Sequence, residues 1–149
     1  RGTSNLFTAW IPFGDIPLQM GGVIILEKSH KHAGQLDKYL SRDVDTYCLN
    51  EPEAEQFASG QNWWDGTLSR NPPLLRERLG GRWLTAPFKM GDILIFEMKL
   101  VHGSLDNRTG LLRLSADCRY QLASEPIDER WVGETPVGHG TELKRGLIC

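Results

Sequence analysis

Leu111-Leu112-Arg113-Leu114-Ser115-Ala116-Asp117-Cys118-Arg119-Tyr120-Gln121-Leu122 alternates polar and apolar side chains. Arg113, Ser115, Asp117, Arg119 and Gln121 fall on one face. Leu112, Leu114, Ala116, Cys118, Tyr120 and Leu122 fall on the other. A period of two is that of a β-strand and not of a helix. A polar face this regular either meets water outside or lines a polar cavity inside a barrel.

The same pattern extends outward from this stretch. Upstream, Ile93-Leu94-Ile95-Phe96-Glu97-Met98 reads as a strand entered through the turn Lys89-Met90-Gly91-Asp92, in which Asp92 is expected to fix the turn. Trp83–Phe88 is a further strand. Near the start, Leu6–Phe13 is rich in strand formers, and Pro12 predicts an end or bulge there. Gly14-Asp15 and Pro17 mark a turn, and Val23-Ile24-Ile25-Leu26 reads as a short buried strand. Residues 33–82 differ. Leu36, Tyr39 and Leu40 suit a short helix, Asn50-Glu51-Pro52-Glu53 is a helix start, and Asn71-Pro72-Pro73 opens a helix closed by Gly80-Gly81. Trp63-Trp64, in the loop between them, are expected to be packing aromatics rather than a substrate mouth. Beyond Leu122 the chain reads as irregular. The expectation is one mainly-β domain over 1–149 with a partly helical insertion at about 33–82.

Composition narrows the function classes. The 149 residues are 40% hydrophobic and 24% charged, which excludes a disordered tail. Seventeen Lys+Arg against 19 Asp+Glu leave a net charge of −2, which argues against a polycationic nucleic-acid binder. No apolar run approaches the roughly 18 residues of a membrane helix. Cys48, Cys118 and Cys149 are odd in number and far apart, so reduced thiols in a cytoplasmic protein are expected rather than a disulfide framework.

The chemistry concentrates on His102-Gly103-Ser104 and on Arg113, eleven residues after the histidine. His102 is expected to follow the apolar strand and open a turn. Arg113 lies on the next strand with Ser115 on the same face. Antiparallel neighbours would bring His102 and Arg113 to one cavity. A neutral imidazole is a ligand for Fe, Zn, Cu or Ni. An arginine offers a carboxylate a two-pronged fork, which a serine hydroxyl can share. Such a pair suits a 2-oxoacid chelated on iron.

From Trp10 to Tyr120 the sequence resembles the phytanoyl-CoA dioxygenase family of Fe(II)/2-oxoglutarate-dependent oxygenases. The matching features are Thr8–Phe13, Gly22–Leu26 leading to Ser29-His30-Lys31, Gly91–Phe96, Val101-His102-Gly103-Ser104 with Asn107, and Arg113-Leu114-Ser115 leading to Arg119-Tyr120. The resemblance implies a double-stranded β-helix, that is, a jelly-roll or cupin-like barrel. It implies His102 as the distal histidine of an iron-binding facial triad, and Arg113 as the clamp on the far carboxylate of 2-oxoglutarate. Ser104 and Trp10 are implied as further contacts to that cosubstrate, with Ser115 assisting Arg113. A small or medium organic substrate and O2 complete the implied partners, with succinate and CO2 as co-products.

Two departures matter. The family's usual Pro-Gly-Ser-His is Glu27-Lys28-Ser29-His30 here, and His30 and His32 are expected to be packing residues rather than ligands. His139 is expected to be solvated. The family's His-x-Asp pair is absent from the 149 residues, which open on Arg1 rather than Met. The expectation is that the pair lies upstream of Arg1. The alternatives are a non-catalytic jelly-roll binding or scaffold module that has lost these ligands, and a different metal enzyme on a cupin-like barrel.

Overall fold

The computed structural model describes residues 2–42, 67–128 and 131–134. Cys48, Cys149, Asn50–Glu53, Trp63-Trp64 and His139 lie outside the described residues. The chain divides into two compact units, one of Ser4–Leu36 with Asn71–Glu125, the other of Arg1–Thr3, Asp37–Arg70 and Pro126–Cys149. In the second unit, Asp37–Leu40 forms a single helical turn, α1, closed by the Ser41 amide donating to the Asp37 carbonyl. The first unit holds the sheets.

Six strands form two three-stranded antiparallel sheets. Strands β1 (Phe7–Pro12), β4 (Leu94–Glu97) and β6 (Ser115–Tyr120) make one, with β1 in the middle. Strands β2 (Val23–Leu26), β3 (Trp83–Leu84) and β5 (His102–Ser104) make the other, with β2 in the middle. Pro12 closes β1. Pairing with β4 stops at Trp10, so the missing proline N–H costs the ladder nothing there.

The sheets meet through one apolar cluster. Trp10 and Phe96 come from the first sheet and Val23 from the second, with Ile16 and Met20 from the connection between them. Trp10 is only 3% exposed and meets Phe88 edge-on, ring centroids 4.8 Å apart. A buried indole of this kind contributes on the order of 3–5 kcal/mol to stability.

Register decides which faces meet. In β6, Arg119 lies opposite Thr8, Asp117 opposite Trp10 and Ser115 opposite Pro12. The polar row therefore shares the inward face of the sheet with Trp10. Asp117 and Arg119 pair at 3.7 Å. The apolar row faces outward with Phe7, Ala9 and Ile11. An open groove of about 740 Å³ lies on that outer face, lined by Phe7, Ala9, Ile11, Ile93, Ile95 and Tyr120 among others.

Several expected elements differ in extent. β6 begins at Ser115, not Leu111, because the paired part of β1 ends at Pro12. The Trp83–Phe88 strand is reduced to Trp83–Leu84 and an isolated bridge between Ile16 and Phe88, with Pro87, which has no N–H to donate, between them. The short helix expected about Leu36–Leu40 is the single turn α1, preceded by a 3-10 stretch, Ser29–Leu36. The 71–81 reading matches. Helix α2 spans Pro72–Leu79, the Leu74 amide donates to Asn71 Oδ1 at 3.1 Å, and Gly80 ends it at φ 73°. Asp92 Oδ2 accepts from the Lys89 amide at 2.7 Å and fixes its turn. No helix among the described residues is long and apolar enough to cross a membrane.

Lys28 occupies the left-handed region at φ 60°, the position where the family pattern has glycine. A Cβ is strained there, so Lys28→Gly is expected to stabilise the protein by about 1 kcal/mol, read as a higher urea midpoint. At the next rung, Arg82 Nε donates to Glu27 Oε2 at 3.0 Å. That hydrogen bond, aided by the positive charges of Arg82 and Lys28, holds the Glu27 carboxyl below its usual 4.5. The folded value is the lower one. The pair therefore stabilises the fold above the ordinary carboxylate range and ceases to do so as pH falls through the folded value. Thermal melts against pH should show wild type and Glu27→Gln converging in acid and diverging, with wild type higher, near neutrality.

Candidate functional site

His102 does not open a turn. It is the first residue of β5, opposite Ile25, and Gly103 and Ser104 pair with Ile24 and Val23. The unfilled edge of β2 overrides the local turn signal of the glycine. Val23 and Ile25 pack in or against the core, so His102 and Ser104, opposite them, face the space between the sheets. The expectation that the histidine and arginine strands are neighbours is also corrected. β5 lies in the sheet of β2, and β6 lies in the sheet of β1. The eleven residues cross from one sheet to the other, because the inward polar row of β6 pairs with β1.

The arginine nevertheless reaches across to the strand that carries the histidine. Arg113 stands just ahead of β6, half-buried, and its Nη2 donates to Ser104 Oγ at 3.5 Å. Its Nη1 is buried and has no hydrogen-bond partner among the described residues. A guanidinium nitrogen removed from water and left unpaired is costly unless something absent from the protein itself completes it.

The imidazole is fixed on two sides. His102 Nδ1 lies 2.9 Å from the Leu100 carbonyl oxygen. A carbonyl only accepts, so Nδ1 carries a proton, and in the neutral ring Nε2 keeps its lone pair. The ring lies against Phe96, centroids 4.6 Å apart at 53°.

The other expected residues are placed as follows. Ser115 opens β6 two residues after Arg113. Trp10 is a core residue, with its ring between the sheets. His30 faces Glu97 at 3.8 Å, and Gln35 Nε2 donates to His32 Nδ1 at 3.3 Å. Asn107 staples the loop toward Arg113. Its Oδ1 accepts from the Thr109 amide and hydroxyl, and its Nδ2 donates to the Leu111 carbonyl at 2.7 Å. Among the described residues, no three His, Cys, Asp or Glu side chains converge as a metal site.

Ser29, which the sequence alone gives no role, is buried. The Val101 amide donates to Ser29 Oγ at 2.8 Å. A serine directly after a buried strand, inside a Ser-His step, was the available signal.

Two three-stranded antiparallel sheets on one core make this a jelly roll of the cupin-like kind. The phytanoyl-CoA dioxygenase family model matches residues 2–115, and the chain belongs to that family. No curated protein matches it. Among solved structures it is similar to SnoN, described as a non-heme alpha-ketoglutarate-dependent epimerase from nogalamycin biosynthesis, with 21% identity and a TM-score of 0.44 over 78% of this chain. The chain spans 34% of the length of that structure.

The loop after β5 is held by backbone contact at Gly21, which has φ 75°. A Cβ at Gly21 would run into the Leu105 carbonyl oxygen and the Asp106 backbone. Gly21→Ala is expected to cost more than about 2 kcal/mol in chemical denaturation, from strain and clash together.

Proposed function

We propose that this chain is the cosubstrate-binding part of an Fe(II)/2-oxoglutarate-dependent dioxygenase that hydroxylates a small or medium organic substrate. The observation that carries the reading is the buried Nη1 of Arg113, beside Ser104 and without a partner among the described residues. A carboxylate supplies what that nitrogen lacks, and a guanidinium presents it a matching fork. Arg113 would hold the far carboxylate of 2-oxoglutarate, with Ser104 sharing it. Ser115 and Trp10 would border the same ligand.

His102 would give the metal one ligand through Nε2, the nitrogen its bond to Leu100 leaves free. A facial triad needs two more ligands, which have to come from beyond the described residues. When bound, iron with 2-oxoglutarate supplies O2-dependent oxidation of a C–H bond, with succinate and CO2 released. The chain's own part is placement. Arg113 and Ser104 orient the dicarboxylate, Phe96 steadies the imidazole, and Trp10 and Phe88 form a dry wall behind them.

Calorimetric titration with 2-oxoglutarate tests the clamp. Arg113→Ala is expected to weaken binding by at least about thirtyfold, the equivalent of about 2 kcal/mol for an unpaired charged hydrogen-bonding site. Unchanged affinity would remove Arg113 from the site. Binding that persists in the natural polypeptide without Fe(II)-dependent succinate release would point instead to a non-catalytic binding module.

A further inference from the structure

We infer that Ser29 is a positioning residue for His102, acting through the single peptide unit between Leu100 and Val101. The inference rests on the reading of His102 as a metal ligand and adds to it. Ser29 is 1% exposed, and its Oγ accepts the Val101 N–H at 2.8 Å across 72 residues of sequence. The carbonyl of that same peptide, Leu100 O, accepts the His102 Nδ1 proton at 2.9 Å. A peptide group is a rigid plane with its N–H and C=O on opposite sides. Ser29 therefore grips one end of the plane whose other end holds the imidazole.

Two effects follow. The first is orientation. With Val101 N–H bonded to Ser29 and the Val101 carbonyl accepting from Leu26 N at 2.8 Å, the backbone ahead of His102 is fastened on both sides to the end of β2. The Leu100 carbonyl then points where the ring needs it. The second is polarisation. A peptide whose N–H is donated presents a stronger acceptor at its carbonyl, because hydrogen bonds in a chain strengthen one another. Free neutral histidine favours the proton on Nε2, so the Nδ1–H form has to be held. Ser29 helps hold it, and Nε2 keeps the lone pair.

Ser29 is itself set by the strained turn before it. Lys28 at φ 60° reverses the chain at the end of β2, and the Lys31 amide donates back to the Lys28 carbonyl at 3.0 Å. The Glu27–His30 step thus places a hydroxyl under the strand that carries the histidine.

The test reads the ring directly in metal-free protein. Long-range ¹H–¹⁵N spectra at about pH 8.5, where an ordinary imidazole is neutral, report which nitrogen bears the proton. Wild type and Ser29→Thr are expected to show Nδ1–H at His102. Ser29→Ala, which keeps the fold but not the acceptor, is expected to show a several-fold rise of the Nε2–H form. Ser29→Cys, of similar size with a weak acceptor, carries the same readout if the alanine variant does not fold. A folded Ser29→Ala or Ser29→Cys protein with the wild-type tautomer overturns the inference. Co(II) titration of the same set in the natural polypeptide separates it from the reading beneath it. About tenfold weaker Co(II) binding in Ser29→Ala, restored in Ser29→Thr, supports both. A shifted tautomer with identical Co(II) affinity keeps the positioning role and removes His102 from the metal site.

Discussion

The chemistry of this fold depends on one register, the ladder that sets Ile25 against His102 and Val23 against Ser104. Side chains alternate along a strand. A slip of one residue would turn His102 and Ser104 outward and leave Gly103 facing the space between the sheets. Three residues of β5 are too few to hold that register by themselves. It is held from outside the pairing, by Ser29 and Leu26 on Val101 at one end, and by the Leu105 amide on the Gly22 carbonyl at the other. Gly21 lets the two backbones approach closely enough for the second contact.

The first sheet supplies the complement. β1 is its spine, with Trp10 filling the space between the sheets, and β6 carries Asp117 and Arg119 on the same inward face. That pair is half exposed and contributes little to stability. Arg113 differs from it. It stands ahead of the strand, half-buried, with one nitrogen bonded to Ser104 and the other unsatisfied. A guanidinium nitrogen buried without a partner among the described residues is a cost that the fold itself does not offset.

Much of this was legible in the sequence, and the exceptions have physical reasons. The alternation of Leu111–Leu122 reads correctly as a strand over Ser115–Tyr120, because an inward polar row and an outward apolar row are a local property, and overruns it at both ends, where the partner strand decides. The Asn71-Pro72-Pro73 start and Gly80 stop read correctly because capping is local too. His102-Gly103-Ser104 reads as a turn in isolation, and what makes it a strand is Val23–Ile25, about eighty residues earlier in the chain. For the same reason the strands bearing His102 and Arg113 were expected to be neighbours, when they lie in different sheets. Ser29 carried no role in the sequence, since a serine is marked as buried only by what closes over it.

The outer face of the first sheet has a consequence of another kind. Phe7, Ile93, Ile95, Tyr120 and Leu122 stand largely exposed there, behind a strand whose opposite face is already committed to the core. That outer face is one that water wets poorly, and a net charge of −2 offers little mutual repulsion between molecules. In colloidal terms the chain is an amphiphile. An apolar face of this size makes association in concentrated solution sensitive to salt, cosolvent and detergent.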